Sequence, residues 1–293
     1  FEDSIKHLDL SQSRIARHKH MLIGEADLHL AIVLYMNGQG DEARRMIDRQ
    51  VNTYGGIQLS RRVGALAFVQ LLSGDLAGLD FSARRMRSID LVMRTPLTDG
   101  WSHYFSACTK LQHYQLDEAA KYFARVVERP HLIDQRAAID AFTGLALVQQ
   151  MSGEPEKSSQ TVRSLERYIG KITTPENQAL LDSCISRLGL LQGKNELAAM
   201  GHLPSPLRPG VFDLFMWLDV PALTWIRVLA AEGSETSLAK AQELLDETRQ
   251  VSESCQFTLQ LIEASVLQAL VLEKQGLSDA AEDAVEHAIG LAE

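Results

Sequence analysis

The chain has 293 residues, 45% hydrophobic and 23% charged, with a formal net charge of −9. That composition excludes a disordered chain, and the acidic balance argues against a general phosphate-binding surface. No uncharged apolar run approaches the ~20 residues of a membrane span and no signal-peptide core opens the sequence, so a cytoplasmic protein is expected.

Apolar residues recur at i, i+3, i+4 and i+7 almost throughout, and alternating strand-like runs are missing, which predicts an all-α fold. Helices break in turn at Asn37-Gly38-Gln39-Gly40-Asp41, Ser73-Gly74-Asp75, Tyr114-Gln115-Leu116-Asp117 and Ser152-Gly153-Glu154-Pro155. The same punctuation returns at Gln192-Gly193-Lys194, Glu232-Gly233-Ser234 and Gln275-Gly276-Leu277. From Gly38 through Gly74, Tyr114, Gly153, Gly193 and Gly233 to Gly276 the steps are 36, 40, 39, 40, 40 and 43 residues. Glycine after a helix accepts the left-handed conformation, and an acidic residue after it suits the positive end of the next helix. A repeat of this kind predicts a right-handed superhelix, an α-solenoid of about seven helix pairs with a period of about 40 residues.

Seven residues before the turn residue stands a small side chain (Ala31, Ala67, Ala107, Ala146, Ser186, Ala269), which lets paired helices approach closely. Ala43, Ala119, Ala198 and Ala281 hold the small position near the start of the second helix, and Phe123 the bulky apolar one. This is the tetratricopeptide layout, with helices about a turn longer than the usual ~34-residue unit; HEAT-like repeats share the longer spacing without the Gly-Asp turn.

One stretch breaks the rhythm. His202–Gly210 contains three prolines and cannot be helix interior; it follows a short second helix, Asn195–Met200, and precedes the apolar run Val211–Leu218. It reads either as a capping loop tucked against the solenoid or as a lid or partner-docking element. Residues 1–200 then hold repeats one to five, 201–219 the break, and 220–293 repeats six and seven, in one continuous solenoid. Beginning at Phe1 and stopping within a helical pattern at Glu293, the sequence reads as a piece of a longer protein.

Charge is distributed unevenly. Residues 1–100 carry 13 Lys and Arg against 12 Asp and Glu, 101–233 carry 13 against 14, and 234–293 carry 3 against 12. The acidic character therefore belongs to the last two helix pairs. Arg44-Arg45, Arg61-Arg62 and Arg84-Arg85-x-Arg87 fall in the first two repeats, either as solvated helix faces or as a contact surface for an acidic partner domain or nucleic acid.

Catalytic signals are missing, and no enzyme is expected. Cys108, Cys184 and Cys255 are far apart and fit no metal or redox spacing, so three small buried core residues are expected. His18-Lys19-His20 and His29 belong to no H-E-x-x-H pattern, and no G-x-S-x-G elbow occurs. Gly189-Leu190-Leu191-Gln192-Gly193-Lys194 lacks the spacing of a phosphate loop.

The concave groove is the stronger candidate for a ligand site. First helices of a tetratricopeptide superhelix line it at positions about thirteen, ten, six and three before the turn residue. That offset selects Glu25, Leu28 and Tyr35 in the first pair, then Arg61, Phe68, Trp101, Tyr104, Asp140 and Arg187. Trp217 and Trp225 flank the break and are expected at its edge. Flat apolar surface with a few oriented polar groups is what a small ligand requires.

Longer segments resemble the large ATP-dependent LuxR-type regulators of the MalT-like kind. Val220-Pro221-Ala222-Leu223-Thr224-Trp225-Ile226-Arg227-Val228-Leu229-Ala230-Ala231-Glu232-Gly233 is similar to their VPxLTxARVLLAxG segment. Leu259–Leu270 and Ala280–Glu293 resemble the two helices that follow it, and Gly100–Phe105, Phe123–Arg129 and Ala141–Leu147 also fit. The likeness covers residues 98–293 well and residues 1–97 only by period. It implies a signal-sensing region that binds a small-molecule inducer or a regulatory protein, within a protein whose other modules bind ATP and DNA and which self-associates. This segment itself is expected to bind neither ATP nor DNA, and no cofactor is expected in it. An alternative is a generic scaffold that holds an extended peptide or partner protein, although the Lys/Asn array for clamping a C-terminal carboxylate is missing. The acidic end is either a soluble cap or a dock for a basic helix-turn-helix module.

Overall fold

The computed structural model describes residues 29–53, 55–94, 98–172, 174–194 and 209–292. His18, His20, Glu25, Leu28, the expected helix Asn195–Met200 with Ala198, and break residues 201–208 lie outside the described residues. Within them the fold is all-helical, without a strand. Helix α1 spans residues 29–36 and is followed by α2 (Gly40–Thr53), α3 (Gly56–Leu72), α4 (Leu76–Met93), α5 (Asp99–Gln112) and α6 (Leu116–Glu128). A 3₁₀ turn, Pro130–Leu132, leads into α7 (Gln135–Met151), α8 (Pro155–Ile169) and α9 (Pro175–Leu191). The four-residue α10 (Val211–Leu214) precedes α11 (Pro221–Glu232), α12 (Glu235–Ser254), α13 (Thr258–Lys274) and α14 (Ser278–Ala292).

The seven turn residues read from the sequence share one backbone conformation. Their φ runs from +56° at Tyr114 to +78° at Gly38. At Gly74 the amide bonds Leu71 O and the next amide, Asp75, bonds Gln70 O; Tyr114 and Gln115 repeat this on Leu111 and Lys110. These paired bonds satisfy carbonyls that the helix end leaves open. Tyr114 does so without glycine's freedom, at a cost of roughly 1–2 kcal/mol for a left-handed residue with a Cβ. Side chains close the following helix starts: Asp75 accepts from the Gly78 amide at 2.8 Å and Ser234 from Ser237 at 3.2 Å. Pro155, Pro175 and Pro221 occupy first turns, where no amide bond is lost.

The small positions are where helices meet. Ala31, Ala67, Ala107, Ala146, Ser186 and Ala269 are all buried, as are Ala43, Ala119 and Ala281. Phe123 on α6 lies against Gly144 on α7, where an added Cβ would meet its Cζ at 2.5 Å. The three cysteines are free and buried.

From α2 to α9 and from α11 to α14 consecutive helices pack on one another, and the short α10 packs on α12. The odd-numbered helices also touch in series: α3 on α5, α5 on α7, α7 on α9, α9 on α11 and α11 on α13. Helix α13 then returns to α3, so these contacts form a closed circuit. Tyr35 strengthens the closure by donating its hydroxyl to Gln256 O at 2.9 Å. A Cβ at Gly74 would meet Thr258 Cγ2 at 3.2 Å. One apolar cluster accordingly runs from Leu30 to Val271, while α7, α8 and α9 enclose a second around Leu165 and Cys184. No helix among the described residues is long and apolar enough to cross a membrane.

Candidate functional site

Residues 215–220, between α10 and α11, form a non-helical strap. Its apolar side chains anchor it: Met216 and Val220 are buried, as is Leu214 just before them, and Phe215 meets Phe257 edge-on at 6.1 Å. Its polar groups are gripped by the odd-numbered helices. On α7, the Asp140 carboxylate accepts the amides of Leu218 at 2.9 Å and Asp219 at 2.8 Å. Arg136, one turn earlier, donates to Asp219 O at 2.5 Å and places its guanidinium 4.8 Å from the Trp217 ring centroid. Arg187 on α9 donates to Leu218 O at 2.9 Å, and Gln260 on α13 to Trp217 O at 3.5 Å. Helices α7 and α13 are three steps apart in the circuit in either direction, so the strap spans its interior.

Around this crossing the buried polar groups are matched in charge. Tyr104 donates to Asp140 at 2.5 Å, and Arg136 adds a longer contact at 3.4 Å, so four donors converge on one carboxylate. Burial pushes the Asp140 carboxyl up while Arg136, Tyr104 and the two strap amides pull it down, with burial the larger influence. Burial and the neighbouring carboxylate raise the Tyr104 phenol well above its ordinary value. Asp219 Oδ1 lies 3.0 Å from Ser183 Oγ, 3.3 Å from Thr224 Oγ1 and 3.3 Å from the Arg187 guanidinium. Next to it Arg227 on α11 pairs with Glu263 on α13. Burial opposes ionisation of Glu263, yet Arg227 and Arg187 hold its carboxyl below the ordinary value.

Of the eight residues selected from the sequence, six form one chain of contacts. The rings of Phe68 and Trp101 are 4.7 Å apart and those of Trp101 and Tyr104 5.9 Å; Tyr104 reaches Asp140, whose strap partners lead to Arg187 and Trp217. Arg61 is half-buried on α3, two turns before Phe68. Trp225 lies on the α12 side, with Lys240 Nζ 5.9 Å from its ring centroid. Tyr35, placed in the groove by the same offset, serves the closure. Tyr104 and Asp140 are closed to solvent.

Arg136, Asp219, Arg227, Gln260 and Glu263 were not selected. For two of them the signal existed, since the offsets of six and thirteen counted from Gly233 and Gly276 fall on Arg227 and Glu263. Asp219 belongs to no helical register. A separate cavity of about 480 Å³ opens at the closure, lined by Tyr35, Arg44, Arg45, Ser73 and Gln256 among others. Among the described residues, no three His, Cys, Asp or Glu side chains converge as metal ligands would. No protein-family model matches the chain, and no curated protein matches it significantly.

Proposed function

We propose that the chain is a binding region rather than an enzyme: a tetratricopeptide-like superhelix of seven helix pairs that receives the signal of a LuxR-type regulator. Its ligand is a small inducer or a partner protein taken up on the inner face, and binding biases the regulator between resting and active states through a difference in affinity. The observation that carries this reading is the convergence of Phe68, Trp101, Tyr104, Asp140 and Arg187, from the four odd-numbered helices α3, α5, α7 and α9, on one interior surface that already holds a peptide segment. The spacing of the left-handed turns and the resemblance of residues 98–293 to MalT-like regulators support the family. ATP and DNA binding belong to other modules of such a regulator.

A thermal-shift screen against sugars, amino acids, aromatic metabolites and peptides tests it. A ligand at one hundred times its Kd stabilises the folded chain by about 2.7 kcal/mol. The shift should disappear in Trp101→Ala. ATP hydrolysis by this chain, or a screen in which no class of compound binds, would count against the proposal.

A further inference from the structure

The strap is held mainly through its backbone. Three consecutive carbonyls, of Trp217, Leu218 and Asp219, accept from Gln260, Arg187 and Arg136, and the amides of Leu218 and Asp219 donate to Asp140. A surface connection usually gives these groups to water. Here side chains from three helices read a main chain, which is how proteins hold a peptide of variable sequence. Side-chain preferences are superimposed on this: an apolar residue where Met216 is buried, an aromatic ring under Arg136, and a carboxylate between Ser183, Thr224 and Arg187. The carboxylate is not fully served, because Asp219 Oδ2 is buried with no hydrogen-bond partner among the described residues. A buried acceptor left open carries a desolvation cost, so the strap leaves one hydrogen-bonding position of this carboxylate site unmet.

We propose that this interior surface is a peptide-binding site, occupied here by the chain's own residues 214–219. A partner protein's segment with the pattern apolar–x–apolar–aromatic–aliphatic–Asp takes the same place in trans. This rests on the binding role proposed above and narrows its ligand to a peptide.

A fluorescein-labelled peptide of residues 211–221, followed by anisotropy, tests the assignment. The tethered strap competes at an effective concentration in the ~mM range, so the intact chain should bind the peptide weakly. The double variant Trp217→Ala/Leu218→Ala weakens the strap and leaves the cradle intact. It should bind at least ten-fold more tightly, and a peptide carrying Asp219→Asn should lose that gain. Circular dichroism establishes that the variant is folded. In the unaltered chain, saturating peptide should speed hydrogen exchange at the Leu218 and Asp219 amides, a readout that needs no variant. A folded variant that ignores the peptide up to millimolar concentration overturns the proposal, as does binding that leaves those amides protected. A metabolite that binds through Trp101 while the peptide does not would remove the peptide assignment and leave the binding role standing.

Discussion

The Asp140 carboxylate on α7 holds the Asp219 backbone amide at 2.8 Å, although the two residues are 79 positions apart. With the Leu218 amide bound to the same carboxylate, this contact fixes where the strap crosses the circuit of odd-numbered helices. Neither amide belongs to a helix, so Asp140 does for the strap what a capping residue does for a helix start. Its negative charge is in turn balanced by Arg136.

Asp140→Ala should therefore be among the most damaging single changes. It strips two amides and the Tyr104 hydroxyl of their acceptor and leaves Arg136 without its carboxylate, a loss of ~3–5 kcal/mol for a broken buried pair. The urea midpoint measures it, and a loss below about 1 kcal/mol, the size of a single ordinary hydrogen bond, would show the network to be dispensable.

Two turn substitutions should act in opposite directions. Tyr114 has φ +56° and an exposed side chain, so Tyr114→Gly should stabilise the chain by ~1 kcal/mol. Gly74 has φ +74° and faces Thr258 across the closure, so Gly74→Ala should destabilise it by a similar or larger amount. Thermal denaturation of both variants would reveal equal signs if the turns were not left-handed.

Burial pushes the Tyr35 phenol up to about 12 from its ordinary 10, and the neutral hydroxyl makes the bond to Gln256 O. A value raised on folding gives stability that is fully present below pH 10 and is lost as pH rises toward 12. Tyr35→Phe should cost ~1 kcal/mol at neutral pH and should remove part of the alkaline decline. Urea midpoints at pH 8 and pH 11, compared between variant and parent, isolate this group from the other buried phenols.

Glu263 has the opposite sign. Its carboxyl is lowered below 4.5, so its contribution is present above that value and drains away as pH falls through the lower folded value. Asp140, which burial raises, runs the other way in acid. Acid unfolding of Glu263→Gln beside the parent separates the two: the variant should lose less stability below pH 4.5 than the parent does. An identical acid profile would mean that the Arg227 pair contributes nothing.

Much of the helical organisation was legible because turns and small positions recur in the sequence. Gly38 to Gly276 mark the turns, and Ala31, Ala67 and Ala107 mark where helices touch. Tyr114 was found only by spacing, since nothing in tyrosine itself favours a left-handed residue. The interior surface was partly legible: the offset that selects Trp101, Tyr104, Asp140 and Arg187 depends on helical register alone. What occupies that surface was not. Asp219 and Leu218 act through backbone groups on a segment without periodicity, and main-chain bonds leave no residue-type signature. Glu263 and Arg227 lay within reach of the same register, whereas the closure of α13 on α3 depends on accumulated packing angles that no local motif encodes.

Amide hydrogen exchange at Leu218 and Asp219 in the free chain tests the central claim most directly. Both amides should be protected at least a hundred-fold over an open loop, and Asp140→Asn should lower that protection without reducing the helical signal. Exchange of both amides at the rate of an open loop in the unaltered chain would contradict the account.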